Sequence, residues 1–320
     1  MLVRRHFSFC IIKGVKGYMY IPILELKLRS FLEKLSNNNY EDIHKIPEDQ
    51  VEKYIQEATK EFDSYIRKQL FRTKEDFRIR SSNVGKPSCQ LQAEAAGVEK
   101  NPMPYNHIMR MMLGDLSEVL LNLMLKLSGT NITGAKTKVK WKLAADLPEV
   151  EGENDIEIDG KVYDIKSASP WAYEHKWLRG CSSIAEEDNF GYIGQLLSYS
   201  VSQGKPPGGW VVLNKSSGEV TVVEFNMTKE EVKEFIKKCR TNTRIITENQ
   251  PFTKCFEDFE ETFHGKKTGN RRLSTICGFC QFIRHCWPKA ELRTQVQSKA
   301  KNPKSYWYSH YENTENLQEP

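Results

Sequence analysis

The spacing of hydrophobic positions changes several times along the chain, and each change marks an element. Over 48–70, Val51, Tyr54, Ile55, Ala58, Phe62, Tyr65, Ile66 and Leu70 recur at helical spacing behind Pro47, predicting a helix with one apolar stripe. A shorter helix is expected over 23–35. The stretch 106–127 is rich in Met and Leu, as a buried helix would be. The period then falls to two: 136–143 alternates as a first strand, and short β-forming runs at 156–158 and 161–165 flank Asp159-Gly160, a strong hairpin signal. Asp188 can cap a helix through 191–203 that Gly204 and Pro206-Pro207 end. A second hairpin is expected from 210–214 and 219–225 about Ser217-Gly218. Thr228 with Glu231 forms a capping box for a helix through Cys239, and 250–263 reads as a further helical stretch.

The hairpin at Asp159-Gly160 carries chemistry as well as structure. With those residues as the turn, Ile158 pairs with Lys161 and Asp155 falls opposite Asp164. Side chains alternate faces along a strand, so Asp155, Asp164 and Lys166 share one face while Ile156, Ile158, Tyr163 and Ile165 share the other, a core face. Two facing carboxylates repel unless a cation lies between them, and a hard cation such as Mg²⁺ takes oxygen ligands. An ammonium two residues further on can orient, or help deprotonate, an attacking water. A (D/E)-x-K triplet says little alone, since Glu25-Leu26-Lys27 and Glu231-Val232-Lys233 match it inside expected helices.

The neighbourhood is more specific. Gly152-x-x-Asp155 precedes the triplet, Gln195-x-x-x-Tyr199 follows it, and Gly114-x-x-x-Glu118 lies upstream on the 106–127 helix. In that order, residues 78–290 resemble the PD-(D/E)XK nuclease superfamily, specifically the RecB-like branch marked by a Q-x-x-x-Y helix. The resemblance implies an α/β fold with an αβββαβ core and a metal-dependent DNA exonuclease acting on single strands or strand ends. A structure-specific endonuclease and a non-catalytic DNA-binding protein of the same fold are the alternatives. It implies Mg²⁺ or Mn²⁺ held by Glu118, Asp155, Asp164 and the carbonyl of Ile165, with Lys166 activating water and Gln195 and Tyr199 shaping the site. Many relatives carry histidine where Glu118 stands; Asp115 and His107 are its less well spaced rivals. Arg78 and Arg80, in a polar segment ending at Cys89, are candidate phosphate contacts. Trp171, Lys176, Trp177 and Arg179 lie in an expected loop over 168–187, where they either stack bases and grip phosphates or form a partly packed surface.

Cys277, Cys280 and Cys286 form a second signal, with C-x2-C-x5-C spacing. His285 is a local candidate for a fourth ligand. The resembled branch includes AddB-type nucleases in which one cysteine ahead of the core and three behind it hold a 4Fe–4S cluster, and Cys89 occupies the first of these positions. Zinc on the same thiolates is the alternative. Joining Cys89 to Cys277 closes a loop of about 188 residues, a constraint of roughly 4–5 kcal/mol.

Composition sets the frame. The 320 residues suffice for one large domain with appendages or two small ones, and 28% charged against 39% hydrophobic residues fits a globular protein rather than a disordered or membrane-embedded one. The expected division is a helical region over 1–75, a nuclease core with its cysteines over 76–290, and a loosely packed polar tail over 291–320. A net charge of +5 is modest, so DNA binding rests on local clusters. No apolar run approaches the roughly 20 residues of a membrane span. The first twenty residues pair basic and apolar positions, but Lys13 and Lys16 interrupt them and no cleavage site follows; they read as a leader, with Met19 an alternative start. Eight cysteines without even spacing do not form a secreted disulfide framework, and an intracellular location is expected. No helicase motif is present, so any helicase or recombinase partner is a separate chain.

Overall fold

The structure, a computed structural model, describes residues 9–14, 17–71, 76–103, 105–295 and 303–312. Residues 1–8 of the expected leader and the acidic end of the tail, 313–320, lie outside the described residues. Strands β1 (Phe9–Gly14) and β2 (Gly17–Pro22) pair antiparallel and precede helices α1 (Ile23–Ser36), α2 (Glu41–His44) and α3 (Glu48–Leu70). A short helix α4 (Ser88–Ala95) and the long α5 (His107–Leu127) follow. Next come β3 (Ile132–Ala135), β4 (Lys138–Lys142), β5 (Glu149–Glu153), β6 (Ile156–Ile158) and β7 (Lys161–Ala168). Helices α6 (Pro170–His175) and α7 (Cys181–Glu186) lead to α8 (Tyr192–Gln203), β8 (Pro207–Asn214), β9 (Val220–Glu224) and α9 (Lys229–Thr247). The C-terminal part holds β10 (Phe259–Phe263), β11 (Lys266–Arg272), α10 (Thr275–Gly278), α11 (Ile283–Cys286), β12 (Glu291–Thr294) and β13 (Ser305–His310).

The protein is a mixed α/β molecule built on a five-stranded sheet of order β3-β6-β7-β8-β9. Neighbours run antiparallel except β7 and β8, which are parallel with α8 in the connection between them. Each face of the sheet has its own core. Ile156, Ile158, Tyr163, Ile165 and Val211 pack with Leu28 of α1 and Leu121 and Leu125 of α5. Val162, Ala168, Trp210 and Val212 pack on the opposite face with Ile193, Leu196 and Leu197 of α8. Burying one such side chain contributes about 1.5–3 kcal/mol, so the apolar sides of α1 and α5 on one face and α8 on the other together fix the sheet between them. Asp188 caps α8 with both oxygens, accepting from Tyr192 N at 2.7 Å and Ile193 N at 2.9 Å, and the Thr228–Glu231 capping box opens α9.

Four expectations need correction. The strand beside β6 is β3, four residues long; the alternating run after it, β4, pairs instead with β5 as a separate ribbon. Lys136, with φ of 52°, turns the chain between β3 and β4, so the two segments cannot share one strand. The stretch 168–187 is helical rather than a loop, because Ser169 caps α6 by accepting from Ala172 N at 3.3 Å and Pro170 starts it. The helix expected over 250–263 is irregular through 258 and then strand β10. The polar tail is not an appendage, since β12 and β13 complete a four-stranded sheet of order β10-β11-β13-β12. Buried Glu261 organises that sheet, accepting from Tyr308 OH at 2.7 Å, Thr268 Oγ at 3.0 Å and Asn270 Nδ2 at 3.1 Å. A buried carboxylate needs such partners, and here β11 and β13 supply them.

Candidate active site

The β6–β7 hairpin turns at Asp159 and Gly160, whose φ of 50° and 73° suit a two-residue turn that a right-twisted pair requires. Ile156 pairs with Tyr163, so the register carried one step further sets Asp155 opposite Asp164. Ile165 N donates to Asp155 Oδ2 at 2.8 Å, which fixes that carboxylate against the strand. Asp164 is fully buried, and neither of its oxygens has a hydrogen-bond partner. The Lys166 ammonium lies 2.6 Å from Asp164 Oδ2, a contact ion pair. Burial, then the neighbouring Asp164, push the Asp155 carboxyl up to about 7. Burial alone would lower Lys166, but Asp164 and Asp155 outweigh it and hold the side chain as an ammonium. Lys166 is therefore a donor and a positive charge at this site rather than a free-amine base.

The adjoining groups come from α8 and from a loop below it. Gln195 Nε2 donates to the Tyr199 hydroxyl at 2.8 Å, and burial with the two aspartates raises the Tyr199 phenol. The Tyr192 ring stands 5.6 Å from Lys166 Nζ. Ser81 hydrogen-bonds with Ser198 at 2.7 Å, and its N–H donates to Glu151 O at 2.9 Å, so the segment carrying Arg78 and Arg80 is stitched both to α8 and to β5. Gly152 makes this possible: a Cβ there would lie 2.1 Å from Ser81 Oγ and 3.1 Å from Tyr199 Cε1. The glycine of Gly152-x-x-Asp155 thus lets three motif segments meet.

Glu118 reaches the same place from α5, with partners that the sequence reading missed. Tyr65 OH on α3 donates to Glu118 Oε1 at 2.7 Å, and Lys136 Nζ contacts Glu118, donates to Tyr65 OH at 2.8 Å and pairs with Glu61 at 3.0 Å. Burial and Asp155 push the Glu118 carboxyl up against the pull of Lys136. Lys136 is lowered by burial but raised more by Glu118 and Asp155, which keep it charged. Helix α3, none of whose residues is fully buried, therefore supplies at the edge of the site a hydroxyl from Tyr65 of its apolar stripe and a carboxylate from Glu61 beside it. Gly114 brings α5 close to β7, its missing Cβ facing Ser167 Oγ at 3.6 Å. Asp115 is engaged elsewhere, accepting from Gln69 Nε2 at 2.9 Å.

Among the described residues, no three carboxylate, thiol or imidazole groups are arranged to close on a metal ion as they stand. The donor set nonetheless fits a hard divalent cation. Asp164 offers two buried oxygens without hydrogen bonds, Asp155 faces it, and Glu118 is already matched by a cation, the Lys136 ammonium.

The expected DNA contacts divide. Arg78, Arg80 and Arg179 are exposed, with Arg78 paired to Glu151 at 3.3 Å. Trp171 is 62% exposed and stacks on His175 at 5.0 Å. Lys176 Nζ donates to Glu187 O at 2.7 Å and lies over Tyr192. Trp177 is only 3% exposed and packs between Tyr192 and Trp210, so it has no face to offer a base. Its apolar ring is worth more in the core of the α8 face than on the surface.

Cys89, on α4, and Cys277, Cys280 and Cys286, around α10 and α11, line one pocket together with Phe256 and Trp287. Four thiols brought together from one segment ahead of the sheet and one behind it fit a thiolate-ligated metal centre. His285 does not line that pocket; its ring packs edge-on against Phe252 at 4.7 Å. A fifth cysteine, Cys255, adjoins the group, and no spacing in the sequence marks it.

No family model and no curated protein matches the chain. Among solved structures, that of SSO0001 is similar at 15% identity and a TM-score of 0.38, over 71% of this chain and 92% of the other, a likeness too slight to establish a shared fold. No helix among the described residues is long and apolar enough to cross a membrane.

Proposed function

We propose that the chain is a Mg²⁺- or Mn²⁺-dependent DNA nuclease of the RecB-like PD-(D/E)XK type, degrading single strands or strand ends. The observation that carries this reading is the pair of facing carboxylates, Asp155 and Asp164, the latter fully buried with the Lys166 ammonium 2.6 Å from its Oδ2. One ammonium balances only one of the two carboxylates, and a metal ion between them would supply the further positive charge. Asp155, Asp164, Glu118 and the Ile165 carbonyl would hold the ion, which when bound would stabilise the charge developing on the phosphate.

The chain's own groups do the rest. Lys166, kept charged by its neighbours, donates toward the attacked phosphate or water and adds positive charge where negative charge builds. The Gln195–Tyr199 hydrogen bond fixes a hydroxyl beside the two aspartates. Arg78, Arg80, Arg179 and Lys176 are the cations for the backbone, and Trp171 is the exposed ring for a base. Cys89, Cys277, Cys280 and Cys286 would hold a 4Fe–4S cluster, with zinc the alternative, as a staple between the two ends of the core. A helicase or recombinase would act as a separate partner chain.

The test compares linear with covalently circular single-stranded DNA of one sequence, with Mg²⁺ or Mn²⁺. Digestion of the linear strand with the circle spared supports an end-dependent enzyme. Equal cutting of both makes it an endonuclease, and no cutting of either under both ions removes the reading.

A further inference from the structure

Four thiols line one pocket, and a fifth, that of Cys255, lies next to the backbone of Cys89. Cys255 Sγ accepts from the backbone N–H of Cys89 at 3.1 Å and lies 3.2 Å from Ser88 Oγ, at the start of α4. Phe256, the next residue after Cys255, lines the four-cysteine pocket. Cys255 therefore stands beside Cys89 and is itself exposed.

The segment that carries Cys255 is fastened there. Buried Gln92 of α4 donates through Nε2 to Gln250 O at 3.0 Å and Pro251 O at 2.9 Å, and its Oε1 accepts from Thr253 N at 3.2 Å. One amide thus uses both its ends to hold residues 250–253 against the helix that bears Cys89. Beyond that anchor, 254–258 has no regular backbone hydrogen bonding, so Cys255 is tethered beside Cys89 without being locked in a helix or strand. A ligand on an irregular tether can shift by an ångström or two at little cost, whereas Cys277, Cys280 and Cys286 share one short stretch whose spacing is already committed.

We propose that Cys255 is a fifth thiol of the cysteine centre, able to replace Cys89 as its N-terminal ligand. The proposal rests on the reading of the four cysteines as a metal centre. Exchange at one corner keeps four thiolates on the metal while either of two chain segments provides the fourth. It gives the centre a tolerance at Cys89 that the other three positions lack.

The experiment measures bound iron and zinc per chain, with folding followed by circular dichroism, in protein purified without oxygen. Wild type should carry iron, or zinc, in fixed stoichiometry; protein with neither would remove the metal-centre reading itself, and this inference with it. Cys89→Ser should keep at least half the wild-type metal, Cys280→Ser almost none, and the Cys89→Ser/Cys255→Ser pair almost none. Loss from Cys89→Ser equal to that from Cys280→Ser, or retention by the double variant, overturns the role of Cys255 while leaving the centre intact. Should Cys89→Ser fail to fold, the rate of metal release to a chelator decides. Cys255→Ser should release metal several-fold faster than wild type, and an equal rate overturns the proposal.

Discussion

Asp155, Asp164 and Lys166 hold charge where a globular protein ordinarily avoids it. With metal removed by a chelator, Asp155 is raised from its ordinary 3.8 to about 7 by burial and by Asp164, so the folded state binds a proton that the unfolded chain gives up. The stability tied to that proton is full below 3.8 and is lost as pH rises through about 7. Melting temperature in chelator should fall over that window, and Asp155→Asn should flatten the fall; an unchanged slope in the variant would mean Asp155 ionises freely. Lys136 poses the matching question for Glu118 and Glu61. Lys136→Met leaves those carboxylates without their ammonium, at a cost somewhat below the roughly 3–5 kcal/mol of a fully buried pair, since Lys136 is partly exposed. Mg²⁺ should then raise the melting temperature of Lys136→Met more than that of wild type; equal shifts would show that the ammonium is not balancing the cation site.

At the scale of elements, the site depends on close approaches between segments distant in sequence. The loop after Arg80 meets the start of α8 through glycines: a Cβ on Gly85 would lie 2.9 Å from Gly191 Cα and 3.2 Å from Gly194 Cα. Asn242 of α9 holds that loop by donating to Val84 O at 2.7 Å and Lys86 O at 2.9 Å. Backbone atoms cannot swing aside as a side chain can, so Gly85→Ala should cost about 1–3 kcal/mol in denaturant unfolding, and a variant as stable as wild type would contradict the packing described. The elements that the sequence made legible are those with local punctuation. Asp159-Gly160 signalled the hairpin, Asp188 and Gly204 the bounds of α8, and Thr228 with Glu231 the start of α9. The elements it hid are those decided at long range. Nothing in 132–135 distinguishes an edge strand until β6 lies beside it, and β10 is a strand because Glu261 must reach Tyr308, Thr268 and Asn270.

For the whole molecule, the same division separates the legible part of the site from the rest. Asp155, Asp164 and Lys166 could be placed together from alternation and one turn, and Gln195 with Tyr199 from a helical interval. Tyr65, Glu61 and Lys136 meet Glu118 only because α3 packs along α5, a contact between segments some fifty residues apart that leaves no periodic trace. Trp177 and the Cys255 segment were opaque for the same reason. An aromatic beside cations reads alike in a core and on a surface, and a cysteine outside a spaced motif is silent. The two candidate centres sit at either end of one connection: Gly85 and Ser81 lock the loop before α4 to α8 beside the aspartates, while Cys89 on α4 joins the C-terminal cysteines. The central claim remains the chemistry at the hairpin. The most direct measurement is a time course of end-labelled single-stranded DNA with excess Mg²⁺, run for wild type, Asp164→Ala and Lys166→Ala, alongside a DNA-binding assay of each. The account predicts cleavage by wild type that stops on chelation, with each variant slowed roughly 100- to 1000-fold or more while still binding DNA. Cleavage by Lys166→Ala at the wild-type rate, or none by wild type in either Mg²⁺ or Mn²⁺, would contradict it.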